Sequence, residues 1–281
     1  MDGIDRRPVL DHQLVVAATA GNLARIDAAL AAGANPRAHD DTPIRVAAKM
    51  GHLTAVRRLL DAGANLFSGN GQFALIEAAA NGQAAVVEYL IDSGADVRRA
   101  RSLALRLAAA NGHLTVVKCL LAAGADVHAD NDDPLRRAVA SGHLPVIQCL
   151  LAAGANIESA DAPLLRMAGV RGFSAVILHL LEMGANRAAV LRYLQVFPVD
   201  VQTAVLNTGK VSRLHIEKYA RKGVAPEALF VLLARQNHAG LAAMLRATNL
   251  LDTLTPASRA DLLGELLAKQ PRPESPTHVP G

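Results

Sequence analysis

Tryptophan is absent from this chain, and aromatic residues make up only 3% of it. That shortage disfavours a sheet sandwich, whose pleated faces are filled by aromatic and β-branched side chains. The apolar content is mainly Ala, Leu and Val, which suits close-packed helices, so the expected fold class is all-α. No sign of charge dominates either: 29 Lys+Arg stand against 25 Asp+Glu, interspersed, for a net charge of +4. Such a balance does not force a single-sign face, and nucleic acid is not the expected partner. There is no uncharged run of about 18 residues that would read as a membrane span. The opening MDGIDRRPVLDHQ carries acidic residues and no apolar stretch of signal-peptide length. The expected location is the cytoplasm, or outside the cell by a route without a cleaved signal. What the chain does have is 51% hydrophobic residues in a length of 281. That excludes a mostly disordered protein and supplies a core for one large or two ordinary domains.

Self-similarity organises the first two thirds. Gly21, Gly51, Gly82, Gly112, Gly142 and Gly172 recur at steps of 30, 31, 30, 30 and 30 residues. A second glycine follows each by twelve residues, at Gly33, Gly63, Gly94, Gly124, Gly154 and Gly184, and each of these precedes Ala and then Asn or Asp. Between the two glycines, apolar residues such as Leu114, Val117, Leu120 and Leu121 fall on one face at helical period. The second glycine is placed to end that helix in the left-handed conformation that a Cβ disfavours. Before the first glycine lies another helix with paired small residues, Ala47-Ala48, Ala78-Ala79 and Ala108-Ala109, which allow close helix approach. Thr42-Pro43 and Asp133-Pro134 are read as N-cap followed by Pro at the first helical position. Each unit is helix, tight turn, helix, loop; such a pair cannot bury its own apolar face and must stack on its neighbours.

The stretches DTPIRVAAKMGHLTAVRRLLDAGAN and NDDPLRRAVASGHLPVIQCLLAAGAN resemble the ankyrin repeat, with its Thr-Pro-Leu-His opening, Ala pair, Gly-His and closing Gly-Ala-Asp. The resemblance implies a solenoid of stacked helix-turn-helix units that binds other proteins without catalysis. Residues 1–10 are read as an N-terminal extension, 11–186 as six repeats, 187–268 as degenerate repeats and a helical C-terminal cap, and 269–281 as a disordered tail. The period is shorter than the ankyrin repeat's roughly 33 residues, and the interval between paired glycines is constant. The missing residues must come from the inter-repeat connection, which should be a compact turn. The third connection, LFSGNGQ at 66–72, is one residue longer and should be wider, with Gly69 and Gly71 permitting positive φ.

A second departure replaces the family's His, six residues before the turn glycine, by Arg45, Arg106, Arg136 and Arg166, with Ile76 and Val15 in the other units. One reading has each Arg bonding loop carbonyls or carboxylates such as Asp40, Asp132 and Asp161. The other is a ladder of guanidinium groups able to grip acidic side chains bidentately. Adjacent carboxylates, Asp40-Asp41 and Asp132-Asp133, are expected to cap the next helix.

No other chemistry has a supporting motif in the sequence. Cys119 and Cys149 occupy the same offset in successive units, which stacking holds about 8–10 Å apart, so no disulfide is expected. His113 and His143 lack zinc-ligand spacing, and no metal or cofactor is expected. NTGKVS at 207–212 lacks the residues of a phosphate-binding loop, and no arrangement of histidines has a supporting catalytic motif. The chain is read as no enzyme, without a small-molecule substrate, and monomeric.

Positions exempt from packing are the candidates for binding. On the helices these are Lys49, Met50, Glu77, Asn81, Asn111, Arg137, Ser141, Met167 and Arg171. At the loop tips they are Arg37, His39, Phe67, Arg98, Arg99, Arg101, His128 and Asp130, and the four ladder arginines complete the set. Met50 and Phe67 are the apolar anchors, the Arg98–Arg101 loop the charged one. The expected function is binding of a folded protein through the concave face and loop tips, as an inhibitor, immunity-type or effector protein, of which a bacterial effector is one form. The alternative is an enzymatic or nucleic-acid-binding C-terminal domain presented by the scaffold.

Overall fold

The structure, a computed structural model, describes residues 6–67, 69–159, 162–185, 191, 194–197, 199, 202 and 203. These residues form helices and turns with no strand among them, as the composition requires. Twelve helices occur in this range: α1 (Arg7–Ala20), α2 (Leu23–Ala31), α3 (Ala38–Met50), α4 (Leu53–Asp61), α5 (Ala74–Ala80), α6 (Ala84–Asp92), α7 (Arg99–Ala110), α8 (Leu114–Ala122), α9 (Ala129–Ser141), α10 (Leu144–Ala152), α11 (Ala162–Val170) and α12 (Ser174–Glu182). The chain divides into two compact units, one of Met1–Ala168 with Glu182–Ala185 and one of Gly169–Leu181 with Asn186–Gly281. The tail read at 269–281 lies outside the described residues, as do all but a few positions of 187–268.

In the first unit the odd-numbered helices α1 to α9 pack each on the next, as do the even-numbered helices α2 to α10. Two layers result, with the core between them. The first layer contributes small residues: Ala17 and Ala18, Ala47 and Ala48, Ala78 and Ala79, Ala108 and Ala109, Ala138 and Val139 are all buried. The second layer contributes a branched stripe, Val116, Val117 and Leu120 in α8 and Val146, Ile147 and Leu150 in α10. This corrects the face read from the sequence. Leu114 and Leu121 are only half-buried, because they flank the stripe centred on Val117.

Turn glycines close both helices of each pair. Gly112 has φ of 78°, and a Cβ there would stand 2.7 Å from Nδ1 of His143 in the next pair. Gly124 (φ 85°) ends α8, and the Ala125 N–H bonds back to the Leu120 carbonyl at 3.0 Å; that six-residue closure is the Schellman form of helix stop. The imidazole at Gly112 is not incidental: His143 Nε2 lies 3.0 Å from the Ala110 carbonyl, as His113 Nε2 lies 3.1 Å from that of Ala80 and His52 Nε2 3.1 Å from that of Thr19. Gln83 fills the same role, its amide donating to the Lys49 carbonyl. Each pair is thus stitched to the preceding one at the orphan carbonyls where its first helix ends.

The inter-pair connections are compact, as the short period demands. α3 contains a kink at His39, Asp40 and Asp41 (φ 47°, 63°, 63°), and α9 one at Asp130, Asn131 and Asp132 (φ 54°, 61°, 56°). Asn, Asp and His tolerate this left-handed region better than other side-chain-bearing residues. Arg101 and Ser102 adopt it in α7 without that tolerance, and the cost is offset by a hydrogen bond from the Asp126 N–H to the Ser102 hydroxyl. The third connection differs by a 3₁₀ turn, Gly69–Phe73. Gly71 serves there through absence of bulk and not through positive φ, for a Cβ would fall 1.8 Å from the Asn65 carbonyl oxygen. In the second unit, Phe197 is buried against Gly169 and its carbonyl accepts from the Gln202 amide at 2.7 Å.

Candidate interaction surface

In three connections a kink places one buried polar group, Asp41, Ser102 or Asp132. Asp41 and Asp132 do not cap the helices that follow them; their carboxylates accept the backbone N–H of Asn65 (2.8 Å) and Asn156 (2.9 Å), each 24 residues onward. Asp11 does the same for Asn35, and Ser102 for Asp126. Each residue so anchored, and Asp96 at the equivalent place, turns its own side chain on the backbone two residues ahead: Asn35 accepts from Arg37, Asn65 from Phe67, Asp96 from Arg98, Asp126 from His128 and Asn156 from Glu158. These Asx turns explain the Asn or Asp after the first five Gly-Ala pairs. The Thr42 hydroxyl donates to the His39 carbonyl and accepts from the Asn70 amide at 3.2 Å.

A consequence is that Arg37, Phe67, Arg98 and His128 hold equivalent places, one per pair. Phe67 is 69% exposed and leans over Gly94, while the Arg98 Nε donates to the Gly124 carbonyl at 2.8 Å. Arg37 and Phe67 share a cleft of about 440 Å³ with Tyr89 and Ser93. Arg98 and Arg101 share another, of about 480 Å³, with Asp126 and Asp130.

A second constellation lies on the first-helix layer. Glu77 of α5 receives Arg45 Nη1 at 3.2 Å and Lys49 Nζ at 3.7 Å, both from α3. Asp133 of α9 receives Arg106 Nε of α7 and Arg137 Nε of its own helix, each at 2.5 Å. Asp130 receives Arg106 Nη2 at 2.9 Å and Arg101 Nη1 at 3.1 Å. Burial alone would raise the Asp133 pKa, but the hydrogen bonds and charges of Arg137 and Arg106 outweigh it and hold the carboxyl below its ordinary range. Of the four ladder arginines, Arg106 thus pairs with carboxylates of the connection as expected, though with Asp130 and Asp133 and not Asp132, and Arg45 pairs with Glu77 of the next helix. Asp132 spends its carboxylate on Asn156 and the His128 ring, and Glu77, Asp130 and Asp133 take its place.

The remaining candidates are dispersed. Arg99 donates to Oε1 of the Gln72 side chain, His39 is exposed on the α3 kink, and Arg136 is half-buried in α9. Asn81 donates to the Glu77 carbonyl of its own helix, Asn111 to the Ala80 carbonyl of the pair before. Met50 (49% exposed) and Ser141 end their helices at the tight turns, and Met167 is half-buried in α11. Arg166 lies exposed in the first unit and Arg171 exposed in the second. Sequence reasoning missed Asp133 as a hub, because it stood beside Pro134 and read as a cap. It also missed the side-chain acceptors of the connections, although Asp11, Asp41, Ser102 and Asp132 keep the repeat's own spacing, with one position between passed over.

The two cysteines are free. Burial and the Glu88 carboxylate, which the Cys119 thiol contacts at 3.3 Å, push its pKa up; burial does the same for Cys149 against the opposing charge of Lys118. Neither is poised as a thiolate nucleophile. Among the described residues no three His, Cys, Asp or Glu side chains gather as a metal site, and no helix is long and apolar enough to cross a membrane.

The family model for ankyrin repeats, in three copies, matches residues 14–101 and 98–161. No curated protein matches the chain.

Proposed function

From the premise that this chain belongs to the ankyrin-repeat family, we propose that it is a non-catalytic module that binds a folded protein through its first-helix layer and turn tips. Ankyrin repeats generally mediate protein–protein contacts and are typically non-catalytic. The observation that carries the reading is the separation of duties among the residues of each pair. Packing and stitching use the Ala pairs, the histidines after the turn glycines and the buried acceptors, while the charged clusters around Glu77 and Asp133 and the exposed Phe67 stand outside the core. We take residues 11–186 as six repeats and the charges as a recognition surface for stoichiometric binding, as an inhibitor, immunity-type or effector protein would use. The alternative of an active C-terminal domain concerns residues 187–268, nearly all outside the described residues.

Photo-cross-linking tests the proposal. A photoreactive residue at Asn111 or Ser141 on the first layer should capture a protein in the native host, whereas one at Thr115 or Gln148, exposed on α8 and α10, should not. Capture from the second layer alone overturns the assignment of the face.

A further inference from the structure

The charges of the two helix layers are distributed differently. On α4, α6, α8 and α10 three cations, Arg57, Arg58 and Lys118, balance three carboxylates, Asp61, Glu88 and Asp92. On α3, α5, α7 and α9 there are seven cations and six carboxylates, but Asp41 and Asp132 are buried against backbone N–H groups, so that at the surface the cations face only four: Asp40, Glu77, Asp130 and Asp133. The excess on the first layer is organised. Three of those carboxylates each hold two cations, so that Glu77, Asp130 and Asp133 position five cationic side chains contributed by α3, α7 and α9. A cation already held by one carboxylate loses less conformational freedom when it meets a second.

We infer that the segment this surface recognises is acidic: an exposed stretch of a protein partner whose carboxylates meet the Arg45–Lys49 group and the Arg101–Arg106–Arg137 group. This deepens the binding proposed above and rests on it. Arg101 is the most accessible of the five, its side chain 78% exposed; with five N–H donors and one engaged on Asp130, it can take an incoming carboxylate while keeping that bond. Its pair opens on the cleft of about 480 Å³ that Arg98 also lines, which gives an acidic side chain room to enter. The interspersed carboxylates argue for protein over nucleic acid. A duplex presents a phosphate about every 1.7 Å along its axis, and some would face Glu77 and Asp130, whereas a peptide can place isolated acidic residues at the two cationic groups.

The direct test is fluorescence anisotropy with the full chain and three labelled probes: a glutamate-rich peptide, a lysine-rich peptide of equal length and a single-stranded oligonucleotide of equal charge to the first. The glutamate-rich peptide should bind most tightly, with affinity falling as salt rises. Lys49→Gln, Arg101→Gln and Arg137→Gln combined should weaken it roughly tenfold, the sum of three exposed ion pairs, with helicity by circular dichroism unchanged. Equal binding of the lysine-rich peptide, tighter binding of the oligonucleotide, or an unaltered affinity in the triple variant overturns the inference. The photo-cross-linking above separates this failure from that of the broader reading. A partner captured at Asn111 through a neutral or basic segment leaves the protein-binding function standing and removes the acidic specificity.

Discussion

Asp132 shows how much one side chain carries in a short repeat. It adopts φ of 56°, is buried, accepts the Asn156 N–H and meets the His128 ring. Removing the carboxylate strands a backbone donor and leaves, at a left-handed position, an Ala without the short polar side chain that eases Asp into it. Asp132→Ala should therefore lose roughly 2–4 kcal/mol of stability. Asp132→Asn keeps an acceptor oxygen and a residue at ease in the left-handed region, so urea denaturation should find it less than half as damaging. Equal losses would mean that the hydrogen bond is not what holds the connection. The same reasoning separates Arg101, whose charge is exposed, from Arg106, whose side chain is only 15% exposed between Asp130 and Asp133. The first is available for recognition, while the second also ties α7 to α9.

At the scale of the helix, that tie is sensitive to pH. Asp133 has its folded-state pKa lowered, so its pairing with Arg106 and Arg137 adds stability that is complete above the unfolded carboxylate pKa and is lost as pH falls through the lowered folded value. Wild type should exceed Asp133→Asn in urea-unfolding free energy at neutral pH, and the gap should close on acidification through the carboxylate range. A gap independent of pH would show the pair to be a hydrogen-bonded contact without a charge contribution. The helix stops and the helical stretches before them were legible beforehand because their causes are local: a glycine at the stop and an apolar stripe at helical period. The partners of Arg45 and Arg106 were not, since they lie 32 and 27 residues away and depend on how two helices meet.

In the first unit as a whole, contacts run mainly from one pair to its neighbours, and stability is close to a sum of pair and interface terms. Gly112→Ala forces a Cβ into the left-handed turn and against the His143 ring, at a cost of roughly 2 kcal/mol from backbone strain and a weakened inter-pair bond. Hydrogen exchange should then accelerate in α7 to α10 and remain unchanged in α1 to α4. Uniform acceleration across the unit would show long-range cooperativity that a stack of nearest neighbours lacks.

The repeat period, the all-α class, the helix stops and the compactness of the connections were determined by the sequence alone, because each follows from steric preferences acting within a few residues. Only the tertiary structure decided that Asp41, Ser102 and Asp132 face backbone N–H groups 24 residues onward, that His143 packs on Gly112, and that Glu77, Asp130 and Asp133 gather cations into clusters. Those pairings join side chains that no local preference brings together. They exist because stacking carries one pair's turn past the next, and the charge left over after stacking is what the surface has to offer a partner.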